Sequence, residues 1–529
     1  MGGSCKRLYV HSLESDGPPA ALLSPAGDST FVTDPEGLKQ ATVQYFERLF
    51  QRTPRKTSSK PWMDTPAIQQ IRGRTSDHPF QWPRPLSLNE FRALLRKGNP
   101  RPSPGPDLWE KWCVKALSDA ALSLVLDLIN YEIIATQPGV QARDLTSFLA
   151  QIDAYAHRHN LTLFVLRRDQ RKGFDRLEPE GFYDAVRAYG LPPTLIDLDR
   201  SAQDSVPYQV KTAHGLTQPF VLSGITQQGG PFSPLKSTLT TSMVTYWLED
   251  LSPPDGLLHI STYQSRASRP HIPDDDLSLA TQMCEAMDDS LILRTSLKAT
   301  QSAALLAERF QAAYGWETNW IKSLLYVARP PDDLPVNITM PSVDQADPDS
   351  PAIISHPVPV TTTFFDFLRV MINDPQTQAD KIRRLIEDFT FPNLQTRLPI
   401  TALRRILSQC LISRIRPYLS YQPIPRPVAD ELDRLLARRV HEYLGFPFQF
   451  NHHLLFAPLP DFGFDFPSIA RINDSAAIQG LIRDLNHHVS TFRTMARITL
   501  ADWTCMFNDC RSPLEGTAIR SFQRLNRRL

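Results

Sequence analysis

The sequence predicts an α+β chain, and three observations predict it. A strand-like run, LTLFVLRRD, ends on Asp169, and the stretch QMCEAMDDSLIL reads as a hairpin around Asp288 and Asp289. The last third carries apolar residues at helical spacing. At 529 residues the chain can bury a large core and divide into roughly two to four domains or subdomains. Its 41% hydrophobic and 21% charged residues are those of a soluble globular protein. Its 46 prolines predict long irregular connections. A net charge of +1 leaves a nucleic-acid partner open, because phosphate binding depends on local charge.

Residues 1–85 read as a lead-in rich in Pro, Ser and Thr, with one helix from Gly37 to Phe50 whose stripe is Ala41, Tyr45 and Leu49. A second helix starts near Leu88, with Ser87 as N-cap and Glu90 three residues on, and stops at Gly98. Helical period continues over Leu108–Ile134 and Leu145–Ala156. After the strand ending at Asp169, EPEGFYDAVRAYG is a helix stopped by Gly190 and Pro192. Residues 206–225 read as a β-rich hairpin and Ser237–Leu248 as a helix. The proline- and aspartate-rich passages 250–277 and 329–360 read as surface loops or irregular insertions. Further on, Leu403, Ile406, Leu407, Leu411, Ile415 and Leu419 form one buried stripe, and VADELDRLLARRVHEYL is another helix. There is no internal repeat.

The six cysteines, at 5, 113, 284, 410, 505 and 510, form no CxxC pair. Cys505 and Cys510 could be half of a metal knuckle, but no second half follows. Scattered thiols predict a reducing, intracellular location, nuclear or cytoplasmic. MGGSCKRLYV holds no apolar signal core, and Lys6 spoils a myristoylation match that begins at Gly2. No stretch approaches about eighteen uninterrupted apolar residues, so no membrane partner is expected.

Three strings carry candidate chemistry. A carboxylate at the end of a strand is rigidly aimed, as a metal ligand must be, although a charged turn after an edge strand would look the same. Asp288 and Asp289 repel each other and lose hydration on burial, so between apolar flanks (Met283, Ala286, Met287, Leu291 and Leu293) they call for a cation; a plain turn is the alternative. GITQQGGPFSP offers flexible backbone at Gly229 and Gly230 and fixed exits at Pro231 and Pro234, and without a GK[ST] it is not a Walker loop. It also suits a simple loop before a helix.

Taken in order, the Asp169 string with its GFD, then QGGPFSP, AMDDS, GWETNWIKS and FDFLRV, resembles the palm-to-thumb motifs of reverse transcriptases. The likeness is to the non-LTR (LINE-type) retrotransposon group, fungal elements in particular. SPGPDLWEKW, Ser103 to Trp112, resembles the KSPGPDG segment entering the fingers, and TQPGVQARDLTSFL the stretch upstream of the first catalytic motif. The likeness runs from about residue 85 to at least 450.

The resemblance implies a right-hand polymerase with an antiparallel palm sheet, helices on one palm face, and a helical thumb. Asp169 would bind two Mg²⁺ ions, or Mn²⁺ in their place, with Asp288 as the second ligand and Asp289 beside it. Phe174 matches the aromatic that excludes a ribose 2′-hydroxyl. Gln228 and Gly229 match residues touching the incoming sugar and the template. Lys322 matches a lysine assisting pyrophosphate departure, and Phe367, Leu368 and Arg369 fall in the primer-grip hairpin. RNA template, DNA primer and deoxynucleoside triphosphates are the implied partners. Two-metal phosphoryl transfer needs hard oxygen ligands from separate elements, which agrees with these assignments.

Between Lys381 and Arg439 twelve basic residues face five acidic ones. A duplex-tracking surface needs such a local excess, although a solvated helical face would also show it. The expected division is 1–85 lead-in, 86–160 reduced fingers, 161–360 palm, 361–450 primer grip and thumb, and 451–529 helical extension. Several departures stand against the family pattern. The fingers motif whose basic residue holds the triphosphate is missing, Arg168 stands where an apolar residue is usual, and Ala286 replaces an aromatic. No endonuclease-like region precedes the polymerase motifs and no RNase H constellation follows them. The expected function is therefore RNA-directed DNA polymerisation by an excerpt of a larger element. An inactive remnant that only binds nucleic acid is the alternative.

Overall fold

The computed structural model describes residues 22–23, 31–32, 34–49, 59–77, 87–96 and most of 142–508. Within that last span, residues 172, 204–206, 213, 223–225, 227–232, 252–255, 262–276, 287–288, 351, 364, 369, 373, 393–397 and 448–450 are not described. The helix expected over Leu108–Ile134 lies outside the described residues, as do SPGPDLWEKW, Gln228, Gly229, Asp288 and Arg369.

Among the described residues the chain opens with α1 (Pro35–Leu49), α2 (Pro66–Asp77) and α3 (Leu88–Arg96). Ala41 of α1 is buried but Tyr45 is exposed, so the expected stripe does not face a core at Tyr45. At α3 the expected reciprocal cap is present. Ser87 N–H donates to Glu90 Oε2 at 2.9 Å, and Glu90 N–H donates to Ser87 Oγ at 3.4 Å.

Next come α4 (Ala142–Arg158), β1 (Leu163–Asp169), α5 (Gly173–Arg176), α6 (Pro179–Ala188) and α7 (Thr194–Gln203). After α6 the chain turns at Gly190, with φ of +67°, a conformation that glycine adopts without cost. Short ladders between Pro207 and Val221 occupy the expected β-rich hairpin, and α8 spans Ser233–Leu251. Then follow β2 (Leu258–Ser261), β3 (Ser278–Thr281), β4 (Met283–Ala286), β5 (Asp289–Arg294) and α9 (Leu297–Ala313). Strands β6 (Leu324–Ala328), β7 (Asn337–Ser342), β8 (Ile354–Thr361), β9 (Phe365–Phe367) and β10 (Val370–Ile372) complete the β structure.

One six-stranded sheet in the order β4-β5-β1-β6-β8-β7 forms the centre. Two expectations need correction here. Residues 329–360 are not a loop, because they supply β7 and β8, and residues 250–277 contribute β2. The sheet is also mixed rather than antiparallel: β8 returns between β6 and β7 and runs parallel to β6 at Leu325–Val360 and Tyr326–Thr361. The chain passes from β6 to the edge strand β7 and turns back antiparallel to it, and that return lays β8 parallel to β6.

Both faces of the sheet are covered, which corrects the expectation of helices on one face. Phe164, Leu166, Ile292, Leu325 and Val327 pack against Trp62, α6, α8 and the alanine-rich side of α9. Opposite them, Leu163, Val165, Leu291, Leu293 and Tyr326 pack against α4, Met495 and Ile498, β2 and the β9–β10 hairpin. A strand in the middle of such a sandwich must be apolar on both sides, and LTLFVL is.

The remaining helices are α10 (Pro375–Glu387), α11 (Ile400–Ile406), α12 (Ser413–Tyr421), α13 (Arg426–Leu444), α14 (His452–Phe456), α15 (Ile469–Leu485) and α16 (Ser490–Asn508). A π-helical turn, Leu407–Ile412, joins α11 to α12. Of the expected stripe, Leu403, Leu407, Leu411, Ile415 and Leu419 are fully buried in a third core with α10 and α13, whereas Ile406 is only half-buried. Helix α15 ties this core to the sheet. Its first residues, Ile469 and Ala470, pack in the third core, and at its far end Asp484 accepts from Arg143 of α4 at 2.5 Å and Ser147 at 2.8 Å. Helix α16 continues onto the sheet, where Asp502 meets His159 at 2.7 Å and Arg158 at 3.4 Å. Residues past 451 thus close one face of the sheet.

Candidate active site

Alternation along β1 places Asp169, Arg167, Val165 and Leu163 on one face and Arg168, Leu166 and Phe164 on the other. Strand β5 lies beside it antiparallel, with Asp289 directly opposite Asp169, and β4 extends the row to Ala286. Directly paired residues project to the same face with Cβ atoms about 4.5–5.5 Å apart. The two carboxylates, 120 positions apart in the chain, are therefore neighbours at one end of the sheet. Both residues are half-buried. Asp288 belongs to the two-residue connection between β4 and β5, outside the described residues.

Chain leaving Asp169 is laced to the segment before β6. Asn319 N–H donates to the Asp169 carbonyl at 2.7 Å, Gln170 bridges Thr318, and Arg171 N–H donates to the Glu317 carbonyl at 2.8 Å. Lys322 follows on this segment, exposed, and its carbonyl accepts from Arg167 Nη2 at 2.8 Å. Arg167 also pairs through Nη1 with the Asp366 carboxylate of β9. Asp169, Asp289, the Lys322 segment and the β9–β10 hairpin are thus brought to one region of the sheet.

Within that hairpin the three expected residues fare differently. Phe367 is 1% exposed and packs in the core, so direct contact with a substrate is closed to it, and that expectation is corrected. Its apolar side is needed to seal the sheet. Leu368 stands at the turn with φ of +50°, a left-handed conformation that costs a non-glycine residue roughly 1–2 kcal/mol. Arg369 lies outside the described residues. Phe174 sits in the single-turn helix α5, five positions after Asp169.

Behind the aspartates lies a polar cluster that sequence reasoning missed. Arg168, fully buried, donates to Glu308 and Gln311 of α9 and to Thr318 at 3.0 Å, and Ser342 donates to Glu308 at 2.8 Å. Glu285 of β4 faces the same layer, one register position from the Asp289 row. Burial pushes its carboxyl up to about 7, against hydrogen bonding to Thr241, the Arg168 charge and hydrogen bonding to Ser290. Charged residues at the apolar alternation positions 168 and 285 were the available signal. Arg167 could have been found by its place two residues before Asp169.

Asp169 and Asp289 offer the hard oxygen ligands that divalent cations take, while among the described residues no group of three or more His, Cys, Asp or Glu could hold a metal ion. Two carboxylates held opposite each other on a half-buried surface repel, and an oxygen-loving cation relieves that repulsion.

The site and fold define a mixed α/β chain with paired carboxylates at adjoining strand ends. No family model matches the chain. Over 123 residues, 23% of its length, it is 28% identical to the uncharacterized 149 kDa protein of transposon TX1 from Xenopus laevis. That match spans only 9% of the transposon protein. Among solved structures, telomerase from Candida albicans with a fragment of telomeric RNA covers 65% of this chain and 51% of its own, at 11% identity and a TM-score of 0.29. Telomerase from Candida tropicalis with such a fragment covers 79% and 61%, at 12% identity and a TM-score of 0.32. Scores this low establish neither a shared fold nor a shared function. Among the described residues no helix is long and apolar enough to cross a membrane.

Proposed function

We propose that this chain carries the reverse-transcriptase core of a non-LTR retrotransposon, an RNA-directed DNA polymerase in right-hand form. The cross-strand pairing of Asp169 with Asp289 carries this reading. The motif order in the sequence and the partial likeness to a transposon protein support it.

In this reading Asp169, Asp288 and Asp289 would hold two Mg²⁺ ions. Bound there, such ions would make a primer 3′-hydroxyl more acidic and offset charge on the pyrophosphate. The chain's own residues mainly position the reactants. Strands sandwiched on both faces keep the carboxylates from shifting, and Lys322 offers an exposed ammonium group to the leaving phosphates. Phe174 restricts room beside the sugar, and Leu368 contacts the primer end. Exposed Arg405, Arg414, Arg416, Arg434 and Arg438 follow the template–primer backbone. Of the other basic residues there, Arg383 and Arg426 pair with Glu431 and Asp430, at 2.8 and 2.9 Å, and serve the fold instead.

The test is extension of oligo(dT) on poly(rA) with Mg²⁺, beside Asp169→Ala. Incorporation should fall at least about a thousandfold in the variant, roughly 4 kcal/mol of barrier. Duplex binding without any extension by the unsubstituted protein would sink the polymerase reading in favour of a nucleic-acid-binding remnant.

A further inference from the structure

We infer that Arg143 is a positioning residue for the template–primer, latching α12 and α15 to the sheet and so setting how far synthesis runs before release. This rests on the polymerase reading above and deepens it.

Arg143 stands in the first turn of α4, in the TQPGVQARDLTSFL string to which the chemistry assigns no work. Its guanidinium meets two helices at once. Nη1 and Nη2 donate to the two Asp484 oxygens of α15 at 2.5 and 3.2 Å, and Nε donates to the Ser420 carbonyl of α12 at 3.2 Å. Beside it, Asp144 accepts from Arg483 Nη2 at 2.9 Å. The Arg-Asp pair of α4 and the Arg-Asp pair of α15 therefore meet crosswise. Tyr421, the last residue of α12, packs against the core that holds Val165 and Tyr326. Gly480, inside α15, makes room for the contact: a Cβ there would lie 2.2 Å from Arg143 Nη2. Glycine weakens a helix interior, and this close approach is a reason to keep one there.

The latch matters because of what α12 carries. Arg414 and Arg416, both exposed, lie on it and are two of the residues that follow the template–primer backbone. Turning or sliding either paired helix would bring like charges together, so the crosswise arrangement selects one angle between the sheet and the third core. The pair is well sheltered, with side chains 16% (Arg143) and 8% (Asp484) accessible, and a bidentate contact tolerates little rotation. Arginines on a loosened α12 would meet the phosphates in many orientations and hold them less long.

The full chain is compared with Arg143→Met, with Arg143→Met plus Asp484→Leu, and with Gly480→Ala. Each extends oligo(dT) on poly(rA) with excess heparin added at the start, so that every enzyme acts once. In Arg143→Met the products should shorten about tenfold through faster release, while the rate of the first addition stays within about threefold. Urea unfolding separates this from lost stability. Arg143→Met strands the Asp484 carboxylate and the double variant does not. The double variant should therefore unfold near the parent and still make short products, since apolar contact has no preferred angle. Gly480→Ala favours the helix but displaces the guanidinium, so its products should shorten too. Parental product lengths in any of the three variants, or a first addition slowed in step with product length, would overturn the latch alone. Failure of the unsubstituted protein to extend any primer overturns the polymerase reading and the role of the latch with it.

Discussion

Arg167 of β1 pairs with Asp366 of β9, two residues before Asp169 and on the same face of its strand. The same guanidinium donates to the Lys322 carbonyl at 2.8 Å. One side chain thus joins the strand bearing Asp169, the segment bearing Lys322 and the hairpin bearing Leu368. Arginine suits this work because its donors fan out in a plane.

Removing that junction should loosen the hairpin rather than the aspartates. For Arg167→Met we expect primer–template KM to rise about tenfold while kcat stays within about threefold, the pattern of lost binding without lost chemistry. Steady-state extension at varied primer–template concentration measures the split. A fall in kcat at unchanged KM would show that Arg167 acts on Asp169 instead.

Arg168 points to the opposite face and meets Glu308, Gln311 and Thr318 in a buried layer. Arg168→Met would leave the Glu308 carboxylate buried without its cation, at a cost of about 3–5 kcal/mol in urea unfolding. Replacing both residues, as Arg168→Met with Glu308→Leu, should recover much of that loss, because no charge is then stranded. A single-variant cost below about 1 kcal/mol would mean that water reaches the layer.

Glu285 should make stability depend on pH. A folded carboxyl pushed up to about 7, from an ordinary 4.5, holds its proton more tightly in the folded protein. Its favourable contribution is complete below the lower value and is lost as pH rises to the upper one. Between pH 5 and pH 8, with a chelator present, the parent should lose about 2 kcal/mol relative to Glu285→Gln in urea unfolding. A gap that stayed constant or moved the other way would refute the assignment.

Much of the candidate site was legible in the chain. An apolar run ending in Asp169 and an alternating stretch broken by two aspartates could hardly be anything but a strand and a hairpin, and β1, β4 and β5 fall there. The Ser87–Glu90 cap is likewise a local pattern of hydrogen-bonding side chains. Strands β7 and β8 were illegible because Pro341, Pro357 and Pro359 interrupt them. Proline is tolerated there because β8 meets β6 only at Val360 and Thr361, so these residues lie where the ladder has a neighbour on one side.

By itself the sequence determined what depends on near neighbours: where most helices and the strands around Asp169 and Asp289 form, where a cap closes, and which acidic residues end a strand. Tertiary structure alone decided that Asp289 faces Asp169, that Phe367 is sealed inside, that Arg143 reaches α12 and α15, and that α16 covers the sheet. Periodicity tells which side of an element is apolar, but the partner it meets is chosen by packing among segments hundreds of residues apart.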